Sequence, residues 1–304
     1  MVNYIFNPSV NQHKHLAQIL LNNSKAHLIE NTNALESNNF NLLAKLINLN
    51  AFKFKWRALP KKSKILFISS EFQFVFLFPY LNFIGHKVRF VIHEPNLPNI
   101  SINFILRNII HFLLLKFCNK IFSFRKLNNH KHTFIKLWFN TPSNINILST
   151  KTILSFGSET KNKRIDLLDI DWGDINFKRV GKTTYNFINV KSHNIINSFI
   201  SAEQKDKLFR ENSFSIIPYG FIAQSSVFIE AISYGHILIL NSNNKSWEKY
   251  HDLNFVFVFN DSPKELLPII SRLTSKEVKS LRANSLNYFK QNYDPIKDIK
   301  TLLA

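Results

Sequence analysis

The segment SFSIIPYGFIAQSSVFIEAISYGHILILN, residues 213–241, decides the fold. It opens on a short apolar run, Ser213–Ile217, that stops at Pro218, a residue unable to continue a ladder. Gln224-Ser225-Ser226 then supplies polar, cap-forming residues ahead of an apolar-rich helical stretch running to Ser233. Gly235 closes that helix, and His236–Asn241 is a second apolar run. Strand, helix, strand in direct succession is the unit of a parallel sheet covered by helices.

The same alternation extends in both directions. Toward the N-terminus the strand candidates are Val2–Asn7, Ala26–Glu30, Lys64–Ser69, Lys87–Ile92 and Lys120–Phe124, with a buried helix over Ile102–Phe117. In the back half they are Thr152–Phe156, Tyr185–Val190, Ser213–Ile217, His236–Asn241 and Asn254–Phe259. Helical patterns lie over Gln204–Arg210, Gln224–Ser233 and Lys264–Leu273. The polar turn-former Asn140-Thr141-Pro142-Ser143-Asn144 separates the halves. The expected organisation is therefore two doubly wound α/β domains, 1–143 and 144–304, with a final helix that can return to the first. Ligands of such sheets lie beyond the C-terminal strand ends, so the expected site is a cleft that the two domains face.

At 304 residues, 45% hydrophobic and with a mean hydropathy of −0.09, the chain has the length for two cores and the composition to fill them. A single cysteine, Cys118, excludes an internal disulfide and a multi-cysteine zinc site. Met1 to Phe6 has no signal-peptide pattern, and the apolar stretches Ile65–Gly85 and Ile102–Cys118 are interrupted by Glu71 and by Arg107 and Lys116. The expectation is a soluble cytoplasmic chain. Its net charge of +19 is lopsided: residues 1–145 hold 18 Lys and Arg against 4 Asp and Glu, and residues 146–304 hold 21 against 16. Such a front half suits an anionic partner, a lipid surface or a nucleic acid, unless the excess is only compositional drift.

With six glycines in the chain, each marks a backbone demand. Gly157 ends the strand Thr152–Phe156, and Ser158, Lys161, Lys163 and Arg164 follow before Ile165-Asp166-Leu167-Leu168. A diphosphate lying against the bare Gly157 backbone would be neutralised by Lys163 or Arg164; a solvated surface turn is the plainer reading. Gln224, Ser225 and Ser226 offer free amides at a helix start, and Glu230 lies one turn on from Ser226, placed to accept from ribose hydroxyls. An ordinary cap and an ordinary exposed carboxylate are the alternatives.

In this order, the motifs resemble the retaining GT-B glycosyltransferases of family four. The matching residues are Gly157, Lys163, Ile165-Asp166-Leu167-Leu168, Pro218-Tyr219, Gln224-Ser225-Ser226, Glu230-Ala231 and Gly235, over residues 150–240. The chain departs from the family at Ser158, where arginine is usual, at Arg164, usually glycine, and at Ile222, where the commoner form has a first glutamate. A subgroup with a Gln-Ser-Gly turn is closer, Ser226 standing for its glycine. In the front half, Leu81 to Val88 resembles the family's helix–Gly-His–strand passage and Val91-Ile92-His93-Glu94-Pro95 its strand-end histidine; Asn7-Pro8-Ser9 stands where a glycine-rich loop is usual.

The resemblance implies a GT-B fold and a retaining hexosyltransferase with no bound cofactor or metal, the nucleotide-sugar being substrate. It implies donor contacts at Gly157, Ser158, Lys163, Arg164, Tyr219, Gln224, Ser225, Ser226 and Glu230, and a cleft role for His93, which otherwise reads as a packed histidine. The acceptor would be a saccharide or lipid-linked precursor of lipopolysaccharide, capsule or exopolysaccharide.

Phe52-Lys53-Phe54-Lys55-Trp56-Arg57, continuing to Lys61 and Lys62, interleaves rings with cations and suits an anionic membrane surface on the acceptor side. Single-stranded nucleic acid is the rival occupant, but there is no RNP, zinc or helix-turn-helix signature, so no nucleic acid is expected. No glycosidase acid pair, nucleophile elbow, P-loop or GxGxxG fingerprint is present either. The rivals to an enzyme are a non-catalytic GT-B-like subunit and, on charge alone, a basic nucleic-acid-binding protein.

Overall fold

The computed structural model describes residues 3–7, 14–22, 24–30, 56–68, 72–92, 104–123, 132–134, 142, 145–220, 225–293, 299 and 302. The chain forms two units, Met1–Trp138 with Pro295–Ala304, and Phe139–Asp294.

The first unit holds a parallel sheet of six described strands, β1 (Asn3–Asn7), β2 (His27–Glu30), β3 (Lys64–Ile68), β4 (Lys87–Ile92), β5 (Lys120–Ser123) and β6 (His132–Phe134), in the order β2-β1-β3-β4-β5-β6. Its helices are α1 (Lys14–Asn22), α2 (Phe78–Phe83) and α3 (Phe104–Phe117). The β3 residues Ile65 to Ile68 are buried in succession, as a central parallel strand covered on both faces requires. Phe67, Phe78 and Phe90 pack in the core at tilted and edge-on angles, with ring centroids 5.0 and 5.7 Å apart. Arg89, buried in β4, donates from Nη1 to the carbonyl of Leu302, which ties the chain's last residues to this unit.

The second unit has β7 (Thr152–Phe156), β8 (Asn176–Val180), β9 (Ile195–Ile196), β10 (Phe214–Ile217), β11 (Ile237–Asn241) and β12 (Val256–Phe259), all parallel, in the order β12-β11-β10-β7-β8-β9. Its helices are α4 (Ala202–Glu211), α5 (Ser226–Ser233), α6 (Leu267–Arg272) and α7 (Ser275–Asn292). Every residue of β10 and β11 is buried. Helix starts carry their own chemistry. Ser201 with Gln204 and Thr274 with Glu277 form capping boxes on α4 and α7, and Ser225 caps α5 by accepting from the Phe228 amide at 3.3 Å. Strand order reverses between β7 and β10, and such a switch point opens a crevice at the strands' C-terminal ends.

Beyond adding the short strands β6 and β9 and the helix α7, the structure departs from the sequence expectation in three places. Tyr185–Val190 is not a strand. The Asp169 carboxylate accepts from the amides of Ile188 at 3.0 Å and Asn189 at 2.7 Å, so side-chain oxygen takes the donors that a ladder would use. The strand at this position is β8, whose Lys178 and Arg179 masked the apolar pattern of Phe177 and Val180. Lys264–Leu273 is divided, a short 3-10 turn over Pro263–Leu266 preceding α6, because Pro268 at the helix start reopens the bonding.

Candidate functional site

Four backbone features meet at the C-terminal ends of β7, β8 and β10. Gly157, directly after β7, has φ +107°, and Gly181, directly after β8, has φ +128°. A Cβ on Gly181 would stand 2.5 Å from the Gly157 carbonyl carbon and oxygen, so the two turns touch backbone to backbone. After β10, the Gly220 amide donates to the Asn162 carbonyl at 2.9 Å, which brings the Pro218–Tyr219 turn against the loop carrying Lys163. Helix α5 then starts at Ser226, and its Val227 side chain lies 3.7 Å from the place a Gly157 Cβ would take.

Lys163 sits at the centre. Its ammonium donates to the Ser158 carbonyl at 2.6 Å and stands 5.5 Å from the Tyr219 ring centroid. It would be 3.0 Å from a Gly157 Cβ, so a side chain at 157 would crowd the half-buried ammonium on this turn. Burial first, and the positive charge of Arg179 second, pull the Lys163 ammonium down to about 8. Tyr219 is buried, and burial pushes its phenol up to about 12, so it is a neutral hydroxyl group beside Ser225.

The remaining expected donor residues are placed as follows. Arg164, in a left-handed backbone conformation, is exposed and paired with Asp166 at 2.8 Å. It faces solvent and its own carboxylate, so the expected cation of the turn is Lys163 alone of the two. Ser225 is buried and spends its hydroxyl on the cap; Ser226 is exposed in the first turn of α5. Glu230 is not the exposed carboxylate of an ordinary surface helix: it is buried and accepts from Lys205 of α4 at 2.6 Å. Burial raises its carboxyl and the Lys205 charge opposes that rise. Gln224 and His93 lie outside the described residues, as do Lys53 and Lys55.

In the first unit, Arg57, Lys61 and Lys62 are exposed, but Trp56 is 1% exposed and packs on Phe67 with ring centroids 6.1 Å apart. Its carbonyl is 3.1 Å from Nε2 of buried His86. Trp56 is thus a core residue and no interfacial ring, because a 3-10 turn over Trp56–Ala58 points it under β3. Among the described residues of this unit the exposed rings include Tyr80 and Phe83 on α2 and Phe112 on α3, the last with the Lys116 ammonium 5.2 Å from its centroid. No helix among the described residues is long and apolar enough to cross a membrane.

Sequence reasoning missed Arg179. It is 1% exposed, donates from Nη2 to the Gly157 carbonyl and from Nη1 to the Val180 carbonyl, and its Nε has no partner among the described residues. The signal for it lay in the strand Asn176–Val180, which an arginine and a lysine disguise.

The sequence matches no family model and no curated protein. Solved structures do resemble it. Anabaena Alr3699/HepE, in complex with UDP-glucose, is similar at 12% identity and a TM-score of 0.63, over 100% of this chain and 98% of that one. Sucrose-phosphate synthase from Thermosynechococcus elongatus is similar at 10% identity and a TM-score of 0.65, over 99% and 97%. TarM is similar at 13% identity and a TM-score of 0.57; 79% of this chain spans 54% of TarM. These neighbours are glycosyltransferases of the GT-B fold, and this chain has that fold.

Proposed function

We propose that the chain is a nucleotide-sugar-dependent glycosyltransferase whose second unit binds the donor at the switch point between β7 and β10. The observation that carries the reading is the convergence of bare Gly157, the half-buried Lys163 ammonium, which has no ion pair among the described residues, and the start of α5 on one spot of a GT-B fold. Unneutralised cation, accessible backbone and a helix start are the elements that hold a diphosphate. The neighbour bound to UDP-glucose supports a sugar nucleotide as the ligand class. Glu230, held in place by Lys205, would accept from ribose hydroxyls, with Gln224 and Ser226 on the phosphate side.

By the family resemblance, transfer is retaining and hexosyl, His93 serves at the sugar end, and no metal or cofactor is needed, because Lys163 and the helix terminus answer the leaving diphosphate's charge. We assign the first unit to the acceptor, a saccharide or lipid-linked precursor of a surface glycan, met at the inner face of the plasma membrane. Its exposed Arg57, Lys61 and Lys62, and exposed Phe83 and Phe112 beside Lys116, support an anionic membrane surface as partner.

A second reading, a GT-B-like binding protein without turnover, is favoured by Ser158 and Ile222 standing where the resembled family has arginine and glutamate. Nucleotide release from UDP-, GDP-, ADP- and CMP-sugars, with and without saccharide acceptors, separates the two. Turnover with one of them, with the product anomer matching the donor's, supports a retaining transferase. Donor binding with no release supports the binding protein.

A further inference from the structure

We infer that Arg179 is the second cation of the donor diphosphate subsite, a positioning residue that reaches the turn after β7 from the neighbouring strand β8. The inference rests on the donor-site reading above and adds to it a residue outside every motif the sequence offered.

Three observations carry it. Arg179 and Lys163 grip consecutive carbonyls of one turn, Arg179 donating to Gly157 and Lys163 to Ser158. Among the described residues neither cation forms an ion pair, although Arg164, next to Lys163 in sequence, has Asp166, and Lys205 has Glu230. The Arg179 Nε is buried without a partner, an uncompensated donor in a residue whose other nitrogens bond only to carbonyls. Carbonyls and the facing Glu159 answer the Arg179 charge only in part, its Nε staying buried and unpartnered, so two cations on one turn leave room for an anion supplied from outside.

Gly181 gives the arrangement its spacing. With a side chain there, the turns after β7 and β8 could not touch, and the guanidinium would lose the Gly157 carbonyl. The adjacent Ser158 contributes no charge, so Arg179 supplies from β8 what Ser158 does not. It acts through the turn it holds and through its charge, since at 1% exposure it does not itself open to solvent.

The charge also leaves a mark on Lys163. The ionisable groups around that ammonium are Arg179 from β8, Tyr219 after β10, and Arg164 with Asp166 in its own loop; Glu159 faces Arg179 in turn. Only Arg179 contributes a like charge to the lowering of Lys163 to about 8. Both cations are charged at pH 7, the Arg179 guanidinium standing at about 10 because of burial. Lys163 then loses its proton as pH rises through 8, and an anion bound beside it opposes that loss.

The test is equilibrium binding of inorganic pyrophosphate, which reads the subsite without knowledge of the base or sugar, to the full chain between pH 7 and 9. Wild type, Lys163→Ala, Arg179→Gln and Arg179→Lys are compared, each first checked for a wild-type melting transition. The expected result is affinity that falls about tenfold at pH 7 in Arg179→Gln and stays within about threefold in Arg179→Lys. In Arg179→Gln the pH at which affinity declines also moves above the wild-type value near 8. Wild-type affinity and an unmoved pH profile in folded Arg179→Gln, with Lys163→Ala impaired, overturn this inference and leave the donor site standing. No pyrophosphate binding by wild type overturns both. Should Arg179→Gln not fold, wild-type affinity with no decline from pH 7 to 9 removes the coupled cation pair and overturns the inference.

Discussion

Lys163, Arg179 and Arg282 are cations without an ion pair among the described residues, and they serve different ends. Arg282 of α7 is fully buried and spends its guanidinium on carbonyls, donating to Gly235 at 3.1 Å, Tyr234 at 3.0 Å and Leu148 at 2.8 Å. It is a bracket between α7, the end of α5 and the segment leading into β7. Arg282→Ala would take the donor from the Gly235 and Tyr234 carbonyls and leave a cavity, and should lower unfolding free energy by about 3 kcal/mol or more in a denaturant titration. An unchanged midpoint would mean the bracket is redundant. Beside it, His236 is fully buried, its Nδ1 2.7 Å from the Ser215 hydroxyl and its Nε2 2.6 Å from the Phe209 carbonyl. Burial, aided by the Arg282 charge, pulls it from its ordinary 6.5 to about 3. The folded state therefore binds fewer protons than the unfolded one between these values, so this stability is present above pH 6.5 and is lost as pH falls toward 3. The slope is about 1.4 kcal/mol per pH unit for the one group. From pH 6.5 to 5 the depressed carboxylates Glu159, Glu265 and Glu277 do not contribute to that fall, while the raised Glu230 opposes it, so His236 is read as the difference between wild type and His236→Asn. A wild-type melting temperature that falls no more steeply than the variant's across this window contradicts a neutral His236.

At the scale of elements, the βαβ units were legible where both faces of a strand are covered. Phe214–Ile217 and Ile237–Asn241 are buried at every position and apolar except at Ser215 and Asn241, because the parallel sheet covers both their faces, and the sequence marks them without ambiguity. The edge strands β2 and β12 were legible too, but the short edge strands β6 and β9 and the near-edge β8 were not. In β8, Phe177 and Val180 are separated by Lys178 and Arg179, and burial of a guanidinium inside a strand has no composition cue. The converse error was Tyr185–Val190, apolar enough for a strand but held as a loop by Asp169, and by Glu159, whose Oε2 accepts from the Thr183 hydroxyl at 2.8 Å and the Thr184 amide at 2.6 Å. Side chains distant in sequence decide such a segment, and periodicity cannot see them. Of the candidate site, Gly157, Lys163, Tyr219 and Glu230 were legible from motif order; Gly181 and Arg179 were not, since they act through the turn they touch. Gly181→Ala tests that turn: with φ +128° and a Cβ 2.5 Å from Gly157, it should lower stability by several kcal/mol or displace the β7 turn, and with it nucleotide affinity. A variant with wild-type melting and wild-type affinity would show the close approach to be unnecessary.

Across the whole molecule the charge divides as the functions are proposed to divide. Residues 1–145 hold 18 Lys and Arg against 4 acids, while residues 146–304 hold 21 against 16 and include the proposed donor site. Replacing Lys53, Lys55, Arg57, Lys61 and Lys62 by Ser removes five cations at about 1 kcal/mol each near an anionic surface, less with screening over a Debye length of about 8 Å. Sedimentation with anionic vesicles should fall sharply and nucleotide binding should not change; equal pelleting of both proteins on anionic and neutral lipid would mean a merely solvated surface. Because Trp56 is core, Phe83 and Phe112 are the rings that such a membrane contact would use, and their change to Ser should weaken it further. None of this bears on the donor site, on which the account stands. That site is tested most directly by calorimetric titration of wild type and Lys163→Ala with UDP, GDP, ADP and CMP. Loss of a charge-assisted hydrogen bond worth roughly 1.5–3 kcal/mol predicts that the nucleotide bound by wild type binds the variant about tenfold or more weakly, with little change in melting. Equal affinity of the two proteins for that nucleotide, or no binding of any of the four by wild type, would contradict a donor site built on Gly157 and Lys163.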